Sequence, residues 1–381
     1  MSLSVCLVTR NEAHNLPRVL RSVAGLADQV VVADTGSTDG TAALAAELVA
    51  VVRQHAWDDD FAAARNFALA QATGAWVLWL NPDEELLPDS QAVVRGCLAQ
   101  EDALGFAVTV QELMRADRPD LFTETVQVRL FRRRPEVHFT GRVHAQLDPP
   151  LEELARRTGQ ALYASAVTLR RHAYLSVATE PKLRWAARLL ARELHDHPDR
   201  LATRIHYGKT LLLLNDPTGH TVLAEAVERL LPHRHAPAAP HPLVQVLLEY
   251  LLTVPPAQSK ARLSRDEAWE LARRWFPASP PLFWMRAAQL FQAGDFRQAA
   301  GLLEHLVELG RRQTYDRTIG FDPTIIGANA LLNLGACYTR LRELDRAEAC
   351  FRQVLNSPTH QAQARQNLAV VQRLRSQRTQ A

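Results

Sequence analysis

Three short apolar runs constrain this chain most, because each stops abruptly at polar residues suited to binding. SLSVCLVT runs into Arg10-Asn11, ADQVVVAD ends on Asp34, and AWVLWL runs into Asn81-Pro82-Asp83-Glu84. Between them lie segments with helical period, HNLPRVLRSVAG, STDGTAALAAELVA and FAAARNFALAQATG. Strand, helix and strand at such short spacing predict right-handed crossovers and a parallel sheet covered on both faces. Ligands of such sheets bind outside the carboxyl ends of the strands. Thr9, Asn11, Asp34 and Asp83 each follow or close an apolar run, so they are expected along one edge.

From about residue 178 the period changes to long helical stretches, beginning with EPKLRWAARLLARELHDHPDR. Two later segments, FWMRAAQLFQAGDFRQAAGLLEHLVE and LLNLGACYTRLRELDRAEACFRQVLNSP, resemble tetratricopeptide repeats. Small residues stand where paired helices must approach (Ala287 and Ala299; Gly335 and Ala347), and large ones stand where a groove must be filled (Phe283 and Leu303; Tyr338 and Phe351). The spacing between the two exceeds a standard repeat, so RRQTYDRTIGFDPTII reads as an insertion or an extended helix. A chain of 381 residues is too long for one ordinary core. The expected division is 1–177, an α/β domain, and 178–381, an all-α tetratricopeptide-like domain.

A net charge of +3 creates no general field for nucleic acid or an acidic membrane, so phosphate binding must be local. Cys6, Cys97, Cys337 and Cys350 are scattered and read as reduced packing residues. The segment MSLSVCLVTRNE lacks the pattern of a secretory leader, and no apolar run reaches spanning length. A cytoplasmic protein without a transmembrane segment is therefore expected. His233-x-His235 lies in LPHRHAPAAPHPL, whose proline and alanine content reads as a solvated loop rather than a metal site.

Asp34 precedes a glycine-rich turn in which Ser37 or Asp39 is a candidate N-cap. Its carboxylate either stabilises that turn or accepts hydrogen bonds from the N–H and O–H donors of a nucleotide. Arg65 stands in the first turns of a helix, where a cation opposes the helix dipole. Its compensation is either an ion pair with Asp58, Asp59 or Asp60, or a nucleotide and its phosphates. Arg132-Arg133-Arg134 reads as a solvated turn between edge strands or, with Arg129, as a patch that steers an anionic ligand.

SVCLVTRNEAHNLPRVLRSV, VVVADTGSTDGT, WDDDFAAARNFAL, GAWVLWLNPDEEL, RLFRRRPEVHFTGRVHAQL and LRRHAYL occur in the order found in family 2 glycosyltransferases of the GT-A fold. The sequence most resembles the group with a C-terminal tetratricopeptide region. That resemblance implies a Rossmann-like, mostly parallel sheet and inverting transfer from a nucleotide-sugar, commonly a UDP-sugar, with Mg²⁺ or Mn²⁺ on the diphosphate. By motif position Thr9, Asn11 and Glu12 would border the nucleotide, Asp34 would contact uracil and Arg65 would sit beside the uridine. Asp83 would ligate the metal, and His172 matches a late histidine that closes the metal or diphosphate site in some relatives. The acceptor is expected to be a protein, a peptide or another acceptor molecule, with the repeats binding a protein or peptide acceptor or a partner.

Two positions depart from the family pattern. Asn81 stands where an aspartate is common, leaving an acceptor oxygen for a ribose hydroxyl, while Asp83 and Glu84 remain as carboxylates for an ion that keeps most of its waters. Ala145 follows His144 where relatives carry the glutamate that serves as base. Three routes replace that glutamate: His144 itself, another carboxylate such as Glu112 or Asp148, or a thiol acceptor that is already partly ionised at neutral pH. The alternative is a catalytically impaired nucleotide-binding scaffold with a partner-binding repeat domain.

Overall fold

The structure, a computed structural model, describes residues 1–48, 51–115, 121–172 and 180–380. It contains two compact units, Met1–Asp199 with Thr318–Gly320, and Arg200–Arg317 with Phe321–Ala381. The expected boundary at 177/178 lies outside the described residues, as do Ala173 to Leu175 of the LRRHAYL motif.

The first unit is built on β1 (Leu3–Thr9), β2 (Gln29–Asp34), β3 (Val51–Gln54), β4 (Trp76–Trp79), β5 (Glu84–Leu86), β6 (Ala103–Leu113), β7 (Phe122–Arg132) and β10 (Ala161–Arg171). These form one sheet in the order β3-β2-β1-β4-β7-β6-β10-β5. The pairs β3/β2, β2/β1, β1/β4 and β6/β10 are parallel, whereas β7 and β5 run antiparallel to their neighbours. Strands β8 (His138–Thr140) and β9 (Gln146–Asp148) form a separate hairpin. Helices α1 (Leu16–Ser22), α2 (Thr41–Glu47), α3 (Phe61–Ala70), α4 (Ser90–Leu98) and α5 (Leu151–Thr158) cover the sheet.

Side chains alternate across a strand, and the two resulting cores divide accordingly. Leu3, Val5, Leu7, Trp76, Leu78 and Leu80 enter one. Cys6, Val31, Ala33, Val77 and Trp79 enter the other. Burial pushes the Cys6 thiol up to about 12, so it acts as a packing group. Helix α6 (Glu180–Asp196) belongs to this unit: Trp185 packs 6.0 Å from Trp57 and 5.7 Å from Phe61, and Glu193 accepts the Arg142 backbone N–H at 3.0 Å.

The second unit is all-α, with α7 (Leu201–Leu213), α8 (Thr218–Leu230), α9 (Val244–Thr253), α10 (Arg265–Trp275), α11 (Pro280–Gln292), α12 (Phe296–Arg312), α13 (Ala328–Arg340), α14 (Leu344–Val354) and α15 (Gln361–Gln380). Chain neighbours pack together, α7 on α8, α11 on α12, α13 on α14 and α14 on α15, which is the local stacking of a repeat array. The expected small residues lie inside these pairs: Ala287, Ala299 and Ala347 are buried, as are Phe283, Leu303, Tyr338 and Phe351. Gly335 is a tight point between α13 and α14, because a Cβ there would stand 2.4 Å from the Phe351 ring. A further close approach, not singled out in the sequence, joins α7 to α8, where a Cβ on Gly208 would meet Leu223 at 2.6 Å. The RRQTYDRTIGFDPTII segment is both an extension and an insertion: α12 continues to Arg312, and a 3₁₀ turn at Pro323–Ile326 closes the irregular stretch. His233 and His235 fall in a loop region of short turns, as expected.

Candidate active site

Parallel pairing places Thr9 beside Asp34, so both strand ends reach the same rim. The turn after Asp34 folds back on its carboxylate: Ser37 donates its backbone N–H at 3.1 Å and its hydroxyl to the two oxygens. Asn11, at φ 57°, accepts the Thr38 N–H at 2.8 Å and donates its own backbone N–H to Ser37 at 2.9 Å. Ser37 is thus consumed by Asp34 and Asn11, and helix α2 is capped instead at Gly40, with Asp39 accepting the Thr41 N–H at 3.0 Å. Thr9 and Asp34 are both buried, and the Thr9 hydroxyl oxygen has no hydrogen-bond partner among the described residues. Glu12 accepts from Asn15 at 2.8 Å; burial, together with nearby Asp83, raises its pKa.

Strand β4 carries the second group. Beyond Trp79 the chain turns at Asn81, whose backbone and side-chain N–H groups donate to Glu84 at 2.8 and 2.7 Å. Glu84 is fully buried and also accepts from Arg129 at 3.3 Å. Asp83 accepts from Arg171 Nε at 2.9 Å, and its carbonyl takes the His172 backbone N–H at 2.9 Å. The His172 ring turns to Glu85, with Nε2 3.0 Å from the carboxylate.

Arg65 does not pair with Asp58, Asp59 or Asp60 in the way its position suggested. Asp60 caps α3 by accepting the Ala63 N–H at 2.9 Å, and Asp59 accepts from Trp57 at 3.0 Å. The Arg65 guanidinium instead lies 5.1 and 5.2 Å from the Trp79 and Phe139 rings and donates to the Ala145 carbonyl at 3.1 Å. Burial first, and then Arg129, pushes it down to about 10, with Glu84 opposing. Arg65, Asn81, Arg129, His144, Ala145 and Arg171 line one cleft of about 780 Å³. His144 is exposed, at φ 54°. Of the substitute bases, Glu112 stands 3.7 Å from Arg171, and Asp148 faces His138 at 3.5 Å.

Residues 4–136 match the model of the family described as glycosyl transferase family 2. The first unit carries a family 2 glycosyltransferase domain. A TPR repeat-containing protein of Synechococcus elongatus is 41% identical to the chain over 155 residues, which are 41% of this chain and 38% of that protein. An uncharacterized glycosyltransferase of Rickettsia felis is 31% identical over 124 residues, 32% of this chain and 44% of the relative. The matched part thus spans less than half the length of either relative. Among solved structures, S. aureus TarS covers 75% of this chain, and 53% of its own is covered, at 16% identity and a TM-score of 0.35. Glucosyl-3-phosphoglycerate synthase from Mycobacterium tuberculosis, in complex with Mn²⁺ and UDP-glucose, is 24% identical over 31% of this chain and 45% of its own, with a TM-score of 0.25.

In this glycosyltransferase domain, sequence reasoning missed Arg171, while the arginine run lies at the end of β7 and in the turn after it, as the turn reading expected, although β7 is an interior strand rather than an edge strand. Trp76 pairs with Arg132, so antiparallel β7 carries Arg132 to Arg134 to the end of the sheet opposite the binding rim. There Arg132 donates to the Ala103 and Gln100 carbonyls at 2.6 and 2.8 Å, and Arg133 to that of Gly74 at 3.0 Å. Arg129 lies three residues back along the same strand and therefore reaches the cleft alone. Its signal was the RLF sequence, which precedes the run rather than belonging to it.

A divalent ion fits this donor set poorly. Among the described residues no three His, Cys, Asp or Glu side chains gather as metal ligands. Glu84 is sealed against Asn81 and Arg129, the Asp83 carboxylate is engaged by Arg171, and the His172 ring faces Glu85.

Proposed function

We propose that the protein is an inverting glycosyltransferase that moves a sugar from a nucleotide-sugar, a UDP-sugar in the first instance, to a protein or peptide. The observation that carries this reading is the single rim on which Thr9, Asp34 and the Asn81–Asp83 turn stand, beside a cleft lined by Arg65, Arg129, Arg171 and His144. Asp34 keeps acceptor capacity beyond its two Ser37 bonds, since an ionised carboxylate has about four lone-pair sites. That suits a nucleoside's N–H and O–H donors, while the arginines suit the phosphates. The acceptor atom attacks the anomeric carbon on the face opposite the diphosphate. The new bond forms as the C–O bond to the phosphate breaks, and the nucleoside diphosphate leaves with the electron pair. The acceptor proton passes to the His144 imidazole, which takes the place of the glutamate replaced by Ala145.

Groove residues of the second unit, including Phe291, Thr339, Arg340, Asn367 and Val370, surround a space of about 470 Å³ that suits an extended peptide. We assign acceptor or partner binding to it. A second reading, the impaired scaffold, is favoured by Ala145 and Asn81 and requires binding without turnover. A panel of nucleotide-sugars incubated with the full chain, with and without Mn²⁺, and scored for nucleoside diphosphate release, decides between them. Release with one donor is the expected result. Binding without release under every condition favours the scaffold, and no binding at all removes both.

A further inference from the structure

Resting on the nucleotide-sugar reading, we propose that Arg65, Arg129 and Arg171 hold the donor diphosphate directly, so that nucleotide binding requires no divalent cation. Three guanidinium groups face one cleft from three separate elements: Arg65 from α3, Arg129 from β7 and Arg171 from β10. Register brings the two strand arginines there. Arg171 ends β10 opposite Glu84 on one side and Glu112 on the other, while Arg129 extends β7 beyond its Leu78–Leu130 pair with β4.

Like charges gathered in this way require anions. The anions present hold the arginines in place while leaving donors for a ligand. Asp83 takes Nε of Arg171 at 2.9 Å, whereas Glu112 stands 3.7 Å from Nη1, beyond hydrogen-bond reach. Glu84 and Gln127 hold Arg129 through Nη2 and Nε at 3.3 and 3.0 Å. Arg65 meets a neutral carbonyl and two ring faces, which orient it without cancelling its charge. Each guanidinium has five donors in a fixed plane and matches phosphate oxygens two at a time. The carboxylate best placed to ligate a metal, Asp83, instead positions Arg171. In this arrangement a fixed side-chain cation stands where a carboxylate-bound ion would otherwise supply positive charge.

The test is calorimetric titration of the full chain with UDP, with GDP and ADP alongside, in EDTA and again in Mn²⁺ or Mg²⁺. The proposal expects UDP affinity to differ by less than about threefold between the two conditions. Arg129→Gln and Arg171→Gln should each weaken UDP binding in EDTA by about tenfold or more, the scale of a lost charge-assisted hydrogen bond. Uridine, which lacks the phosphates, should be weakened by less than about twofold, because the bonds lost are phosphate bonds. Binding that appears only with Mn²⁺ or Mg²⁺ overturns the proposal and leaves the nucleotide-sugar reading standing. No binding of any of the three nucleotides in either condition overturns both. The wild-type comparison decides without relying on either variant to fold, and variants that fold yet bind UDP as wild type also overturn the proposal.

Discussion

In the first unit, polar residues from distant parts of the chain converge on strand ends, and much of the polar chemistry faces a cleft. In the second, polar residues pair along single helices, such as Arg311 with Glu308, or between helices, such as Arg286 with Asp266, and the close approaches set glycine against a large apolar side chain, as Gly335 under the Phe351 ring. The sheet gathers residues far apart in sequence because its strands are ordered by crossovers. The helical array gathers mainly helices one or two apart in the chain, because each helix buries its face against the next. A substitution of a cleft side chain in the first unit should therefore change function with little effect on stability, and one at a close helix contact in the second should do the reverse.

The largest expected departure from wild type lies in the cleft. His144→Ala should lower turnover by about 10² to 10⁴-fold, the range of a general base, with nucleotide affinity nearly unchanged. A small loss would point instead to a thiol acceptor, which needs little help in losing its proton, or to a carboxylate such as Glu112 or Asp148 as the base. Steady-state kinetics beside calorimetry separates the two.

On the helical side, Phe351→Ala should cost about 3 to 5 kcal/mol, as for other buried aromatic truncations. Gly335→Ala should cost about 1 to 3 kcal/mol, because its Cβ would press on the same ring and overpack the α13–α14 contact. Urea unfolding of the full chain reads both losses, and UDP affinity should not move. A fall in affinity parallel to the loss of stability would break the contrast.

The smallest and sharpest test uses two helix caps. Asp60 accepts the Ala63 N–H in the first unit, and Ser264 forms a reciprocal capping box with Glu267 in the second. Replacing either by alanine should cost about 1 kcal/mol. Only Asp60→Ala should also weaken UDP binding, because α3 presents Arg65. Equal effects on binding, or none from Asp60→Ala, would show that the cap does not position the cleft.

Much of this architecture was legible before any coordinates. The apolar runs end where β1, β2 and β4 end, and their near-continuous burial follows from a sheet covered on both faces. The small and large residues of the last helix pairs were equally readable, since such contacts join segments adjacent in the chain. Asn81 was visible as a departure, but not that its amide would clamp Glu84 inside the protein.

Local pattern settled which residues end each strand, where the helices run and which side chains are small enough for helices to approach, because period, turns and close pairings act over short stretches of chain. Charge pairing came from elsewhere. Whether Arg129 or Arg132 to Arg134 reaches the cleft depends on the antiparallel direction of β7, which reverses the end of the sheet that a given residue occupies. Whether Asp83 meets a cation of the chain depends on the β5–β10 register, which joins residues 88 positions apart. Nothing in a local stretch encodes such a distance. Only the assembled sheet brings opposite charges within a few ångströms, where burial and Coulomb attraction select among them.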